Sequence, residues 1–136
     1  MLIKILTTLG SIISICFGLW HFFVPKLWNW YSYIDPKATE LVLAIRAINI
    51  FFSLSLVLIG MSNIILTYSS MSNRYSIMIV LSVSIILWVT RSIVQIVYPQ
   101  GTINLFLQYG MLLAFIIVSL LYITSFILIL LQKSLP

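Results

Sequence analysis

Residues 75–98 read YSIMIVLSVSIILWVTRSIVQIVY, an apolar run interrupted by one charge, Arg91, and closed by Pro99-Gln100-Gly101. At about 1.5 Å per residue a helix of this length crosses a hydrocarbon core of roughly 30 Å. A barrel strand needs only about ten residues of alternation, and this run is far longer and apolar on all sides. A helix also satisfies its own backbone groups in lipid. Outward from this stretch, residues 103–131 follow the breaker and form a second such run. On the other side the polar segment 67–73 (TYSSMSN) separates it from an apolar run over 40–66, interrupted by Arg46. The first run spans 2–24 and meets Pro25. The expected fold is all-α: a polytopic membrane protein, an antiparallel four-transmembrane-helix bundle forming one domain over 1–136. Short turns between runs leave neighbouring helices no choice but to reverse direction.

Composition agrees with a lipid-facing exterior. Of 136 residues, 62% are hydrophobic and 7% charged, whereas soluble domains carry about 25% charged residues. The seven Lys and Arg residues lie singly along the chain, with no stripe to follow a phosphate backbone, so nucleic acid is not an expected partner. Membrane lipids are. The first run begins after Lys4 and ends without an Ala-x-Ala-type site, so an uncleaved signal-anchor is expected.

Between the first two runs lies PKLWNWYSYIDPKAT, residues 25–39. Trp28, Trp30, Tyr31 and Tyr33 are residue types that settle at headgroup depth. Leu27, Trp30, Tyr31 and Ile34 share one helical stripe, which predicts a short interfacial helix over 26–35, either as an aromatic belt or as a lid over a site. Asp35 or Thr39 is then expected to cap the next helix. Lys4, Arg74 and Lys133 fall on one side of the bundle, and Lys26 and Lys37 on the other. By the positive-inside rule both termini face the cytoplasm, across the cell inner membrane.

Reversal of the helices brings His21, Glu40, Arg46, Asn49, Arg91, Gln95 and Gln108 to one end of the bundle. Small or polar stripes point the same way: Thr7, Ser11, Ser14, Gly18, His21 and Pro25 on the first helix, Arg46, Asn49, Ser53, Val57 and Gly60 on the second, Ser84, Trp88, Arg91 and Gln95 on the third, and Gln108, Leu112, Phe115, Ser119 and Tyr122 on the fourth. An arginine at the middle of a lipid-facing helix costs on the order of 2.5–3.5 kcal/mol. Two readings account for Arg46 and Arg91. Either each is tied to Glu40, helix-end carbonyls and headgroups, or both line a polar, net-positive pocket. The pocket, made of His21, Glu40, Arg46, Asn49, Trp88, Arg91, Gln95 and Gln108, would suit an anionic or polar headgroup ligand.

Other chemistry finds little material. One histidine and one cysteine, Cys16, exclude a zinc cluster on ligand count. The two acids, Asp35 and Glu40, flank a proline and do not form an acid/base pair. No cofactor is named by any motif. The alternatives are a small oligomeric transporter and a membrane enzyme moving a proton between His21 and Glu40.

The stretch Gly18-Leu19-Trp20-His21-Phe22-Phe23-Val24-Pro25 resembles the end of the first helix in small bacterial four-helix membrane proteins of the DoxX-like kind. Arg46 in the second helix and the polar, proline-ended third helix are similar too. The resemblance implies a four-helix membrane bundle. Some of those proteins are proposed partners of oxidoreductases in quinone or thiol redox systems, but the resemblance bears on fold more than on task. An accessory subunit of a membrane complex, or a homo-oligomer, is a further expectation for the chain itself. The chain departs from a direct thiol role in having no cysteine pair.

Overall fold

The computed structural model describes residues 1–102 and 104–132. Lys133, used in the charge balance, and Ile103, the first residue of the fourth expected run, lie outside the described residues. Among the described residues the ordered elements are all helical: α1 Leu2–His21, α2 Val24–Leu27, a 3₁₀ turn Trp30–Tyr33, α3 Thr39–Tyr68, α4 Arg74–Val97 and α5 Leu105–Leu131. Four of these, α1, α3, α4 and α5, are long and apolar enough to cross a membrane.

The helix ends follow local chemistry. The Asn73 side chain accepts from Ser76 N at 2.8 Å and opens α4. Asn104 does the same for α5, accepting from Phe106 N at 2.9 Å. The cap expected for α3 is different: its N-cap is Ala38, without a side-chain bond, and Asp35 instead accepts from Lys37 N at 2.9 Å. Glu40 sits in the first turn, where the helix dipole favours a carboxylate.

Two boundaries correct the sequence reading. α1 stops at His21, short of Val24, because Phe22 and Phe23 turn the chain and Val24 starts a new helix. Pro25 lies in the first turn of α2, where its missing N–H costs nothing, so it opens a helix here. The expected continuous interfacial helix over 26–35 is two pieces. Asn29 adopts a left-handed conformation (φ 55°) between α2 and the 3₁₀ turn, one of the few residue types that does so readily.

Helix contacts run in opposite residue order. Along α1 and α3, Thr8 meets the Tyr68 hydroxyl at 3.1 Å, Ser11 and Ile15 pack on Gly60, Gly18 packs on Ser53, and Asn49 Nδ2 donates to the His21 carbonyl at 3.3 Å. Along α1 and α5, Gly10 packs on Tyr122, and Phe17 meets Phe115 edge-on at 5.2 Å. Along α4 and α5, Arg74 Nη2 donates to the Leu130 carbonyl at 3.0 Å, while Arg91 lies over the Phe115 ring at 4.5 Å.

The interior mixes apolar and polar groups, with Leu56, Leu81, Trp88, Phe115, Val118 and Tyr122 among its buried side chains. Buried positions include Thr7, Ser11, Ser14, Asn49, Ser53, Asn63, Ser84 and Gln95, while Ile48, Phe51, Ile79, Ile86 and Phe106 are exposed. Several of these polar residues bond across helices, while Thr7 Oγ1, Asn49 Oδ1 and Asn63 Oδ1 are buried without a partner. Trp88 Nε1 donates to Ser14 Oγ at 3.0 Å, and Ser14 Oγ also meets the Tyr122 hydroxyl at 3.0 Å, joining α4, α1 and α5. Asn63 Nδ2 donates to Ser84 Oγ at 2.7 Å, joining α3 and α4. Ser14→Ala leaves the buried Trp88 N–H without its acceptor, and a loss of about 1–3 kcal/mol is expected. Tyr122→Phe should cost less, since Ser11 and Ser14 keep bonds to the Thr7 and Gly10 carbonyls. Thermal unfolding in detergent, followed by circular dichroism, ranks the two; a Tyr122→Phe loss exceeding that of Ser14→Ala would contradict this assignment.

Candidate ligand-binding crevice

Among the described residues, Asn63–Ser84 is the one hydrogen bond between α3 and α4. Beyond it, toward the end that carries Pro25 and Pro99, a crevice lies between the two helices. Its inner part is a cavity of about 210 Å³ walled by Phe17, Phe52, Leu56, Leu87 and Val94, with Trp88 and Arg91 also lining it. Its outer part, about 450 Å³, is lined by His21, Trp30, Asn49, Arg91 and Gln100, with Ile45 and Ile48 on the α3 side. Phe52, Arg91 and Val94 line both parts.

Arg91 sits at the junction, half-buried on an otherwise apolar helix. Its Nη2 donates to Gln100 Oε1 at 2.6 Å, its Nη1 reaches Gln95 Oε1 at 3.4 Å, and the Phe115 ring lies beneath it. Gln95 Nε2 in turn donates to the Gln100 carbonyl at 2.9 Å. The loop is bent into place by Gly101, whose φ of 80° is a glycine conformation. Gln95 thus positions the loop, and the loop positions Gln100 on Arg91. A guanidinium has five N–H donors, so part of its capacity remains free. Neither Asp35 nor Glu40 lines the crevice.

His21 stands in an aromatic enclosure. Phe52 meets it at 4.7 Å, Phe17 at 5.8 Å and Trp30 at 6.2 Å between ring centroids. Its Nδ1 is buried without a partner, and so is Asn49 Oδ1, although Asn49 Nδ2 is bonded to the His21 carbonyl. Buried polar atoms without partners cost roughly 1–3 kcal/mol each. Here the two lie on residues that line the same cavity as Arg91.

The structure gathers some of the residues expected at the site and disperses others. His21, Asn49 and Arg91 share the crevice, Trp88 lies at its inner end, and Gln95 braces Arg91 from behind. Arg46 does not join them: it is exposed, stacked at 5.6 Å over Tyr31 on the outer surface. Glu40 is exposed at the start of α3, so no carboxylate faces His21 in the crevice, and Gln108 is half-buried outside the lining. Of the aromatic segment, Trp30 walls the crevice, Trp28 packs on Trp20 at 5.9 Å, and Tyr33 is exposed. Gln100, which makes the shortest contact to Arg91, was not expected; it belongs to a breaker loop that carries no periodic signal.

At the other end of the bundle a wider cavity of about 620 Å³ includes Lys4 and Arg74. Both already have partners: Lys4 lies 5.2 Å above the Tyr68 ring, and Arg74 holds the Leu130 carbonyl. The crevice is the stronger candidate because two residues of its lining, His21 and Asn49, carry polar atoms buried without partners, against Thr67 alone in the wider cavity. No protein-family model, curated protein or solved structure matches the chain.

Proposed function

We propose that this chain is a multi-pass membrane protein that binds an anionic or polar headgroup ligand in the α3–α4 crevice. In this reading α1, α3, α4 and α5 cross the bilayer as an antiparallel bundle, with both termini on the cytoplasmic side of the inner membrane. The many exposed Ile, Leu and Phe side chains, around an interior that includes buried Ser, Thr and Asn, support insertion, since water-soluble monomers rarely expose apolar patches beyond a few hundred Å². The carrying observation is Arg91. It is a permanent cation, half-buried beside unpartnered polar atoms of His21 and Asn49, in a lining that contains no acid. A carboxylate or phosphate would accept charge-assisted hydrogen bonds from Arg91 and a further one from a His21 Nδ1–H, while Asn49 Oδ1, itself an acceptor, would take a donor such as a headgroup hydroxyl.

The test is native mass spectrometry of the detergent-extracted protein, titrated with phosphatidylglycerol or phosphatidylcholine. Wild type and Arg46→Gln are expected to retain the anionic lipid preferentially, and Arg91→Gln to lose that preference by about tenfold. Equal retention by Arg91→Gln and wild type would end this reading. A small transporter is the second reading, favoured by the buried line Thr7, Ser11, Ser14, Ser53, Asn63 and Ser84 running the length of the bundle. Phe115 and Tyr122, both fully buried beside it, fill the seam and favour binding over passage.

A further inference from the structure

We infer that the ligand is a single-chain amphiphile with a monoanionic head, its head at Arg91 and His21 and its tail in the inner cavity. The inference rests on the binding reading above and adds the identity of both ends of the molecule.

The head is argued from charge. Arg91 is the one permanent cation in the lining, and the other polar groups there include the side chains of Asn49 and Gln100. One cation balances one negative charge. A carboxylate or a phosphodiester leaves no excess, whereas a phosphomonoester brings a second charge into a poorly solvated site, where each unpaired ion costs several kcal/mol. Arg91 is also in the right place, because it lines both parts of the crevice. A group bound to it has polar neighbours on one side and, on the other, a cavity whose walls are mostly apolar, with Ser55 and Thr90 at its edge.

The tail is argued from volume and lining. The inner cavity, about 210 Å³, is bounded by Phe17, Phe52, Leu56, Leu87 and Val94. A dry apolar cavity of about 150 Å³ is enough to hold benzene. The space therefore takes a stretch of one alkyl chain and not two side by side. Access is lateral: Ser55 and Thr90, on facing helices, line this cavity and are themselves exposed. In a bilayer that opening faces acyl chains, so the ligand slides in sideways without its tail crossing water.

The probe is a long-chain fatty acid with a photoreactive diazirine on its tail, added to the full-length protein in phosphatidylcholine nanodiscs. Cross-links are expected on the inner-cavity residues of α3 and α4, near Leu56 and Leu87. Unlabelled fatty acid and lysophosphatidylglycerol should compete, and the better of the two identifies the head; the long-chain alcohol should not. Ser55→Phe, and separately Thr90→Phe, fill the cavity from its exposed edge and should reduce labelling about tenfold while leaving the core intact. Labelling scattered over outward residues such as Ile48 and Ile86, or unchanged in both Phe variants, would overturn the tail placement. Effective competition by the alcohol would overturn the anionic head. If Arg91→Gln still loses its preference for phosphatidylglycerol while the tail experiments fail, the headgroup site survives and only this inference falls. If that preference persists as well, both fall.

Discussion

Replacing Arg91 with methionine is expected to make the ligand-free protein more stable, by about 1–3 kcal/mol, while abolishing its affinity for anionic amphiphiles. Methionine fills a similar volume and continues the apolar surface of α4. The guanidinium it replaces is half-buried with neutral partners only, Gln95, Gln100 and the Phe115 ring. Two amide oxygens and an aromatic face return less than full hydration does, so the wild-type residue is a standing cost to the empty fold. A ligand that supplies the missing negative charge offsets that cost. Thermal midpoints should therefore cross over. Without ligand, Arg91→Met melts above wild type; with saturating fatty acid, wild type rises and the variant does not move. Scanning fluorimetry in one detergent measures all four values. A variant that melts below wild type in the absence of ligand would show that Arg91 holds the fold together and has no need of a ligand.

A larger loss is expected from Gly18→Leu. A Cβ at this position would lie 2.8 Å from the Ser53 carbonyl oxygen and 3.0 Å from Leu56 Cβ. The first of these is a backbone atom of the facing helix and cannot rotate aside, so α1 and α3 must separate. Overpacking of this kind costs about 1–3 kcal/mol even for modest additions, and leucine adds three carbons beyond the clashing one. Separation also removes the contact between Asn49 Nδ2 and the His21 carbonyl, which sits one turn further along the same helix pair. Affinity should fall together with stability, although Gly18 does not line the crevice. Gly110→Ala is the control. Nothing lies within 4 Å of its Cβ position, and alanine favours the helix, so a small gain is expected. A well-folded, ligand-binding Gly18→Leu protein would refute the tight α1–α3 contact.

The helices were legible because the signal behind them is coarse. Twenty or so apolar residues between polar breaks need no fine energetics, and α3 and α4 begin within one residue of the expected positions. The failures lie where one residue decides. Pro25 reads as a stop, yet a ring without an N–H fits the first turn of a new helix equally well. Asparagine turns left-handed more readily than most residues, but nothing in the surrounding run marks Asn29 as the place where it does so. At the site, helical periodicity recovered His21, Asn49 and Arg91 but misplaced Arg46. The buried face of α3 passes through Asn49, Ser53, Leu56, Gly60, Asn63 and Thr67. At 3.6 residues per turn its next position upstream is nearer 45 than 46. Ile45 takes that place in the lining, and Arg46 is rotated out to Tyr31. Gln100 was invisible because it reaches Arg91 through a loop bend at Gly101, a tertiary event with no sequence period.

Among the described residues the one hydrogen bond between α3 and α4, from Asn63 to Ser84, lies between the crevice and the short loop that joins the two helices. That arrangement is a pair of tongs with its rivet between handle and jaws. The jaws are Ile45 to Leu56 on one arm and Leu87 to Val94 on the other. Widening them breaks no hydrogen bond between the arms, but each arm is also fastened to α1, through Asn49 to the His21 carbonyl and through Trp88 to Ser14. Parting the arms would therefore have to carry α1 along with one of them and release it from the other.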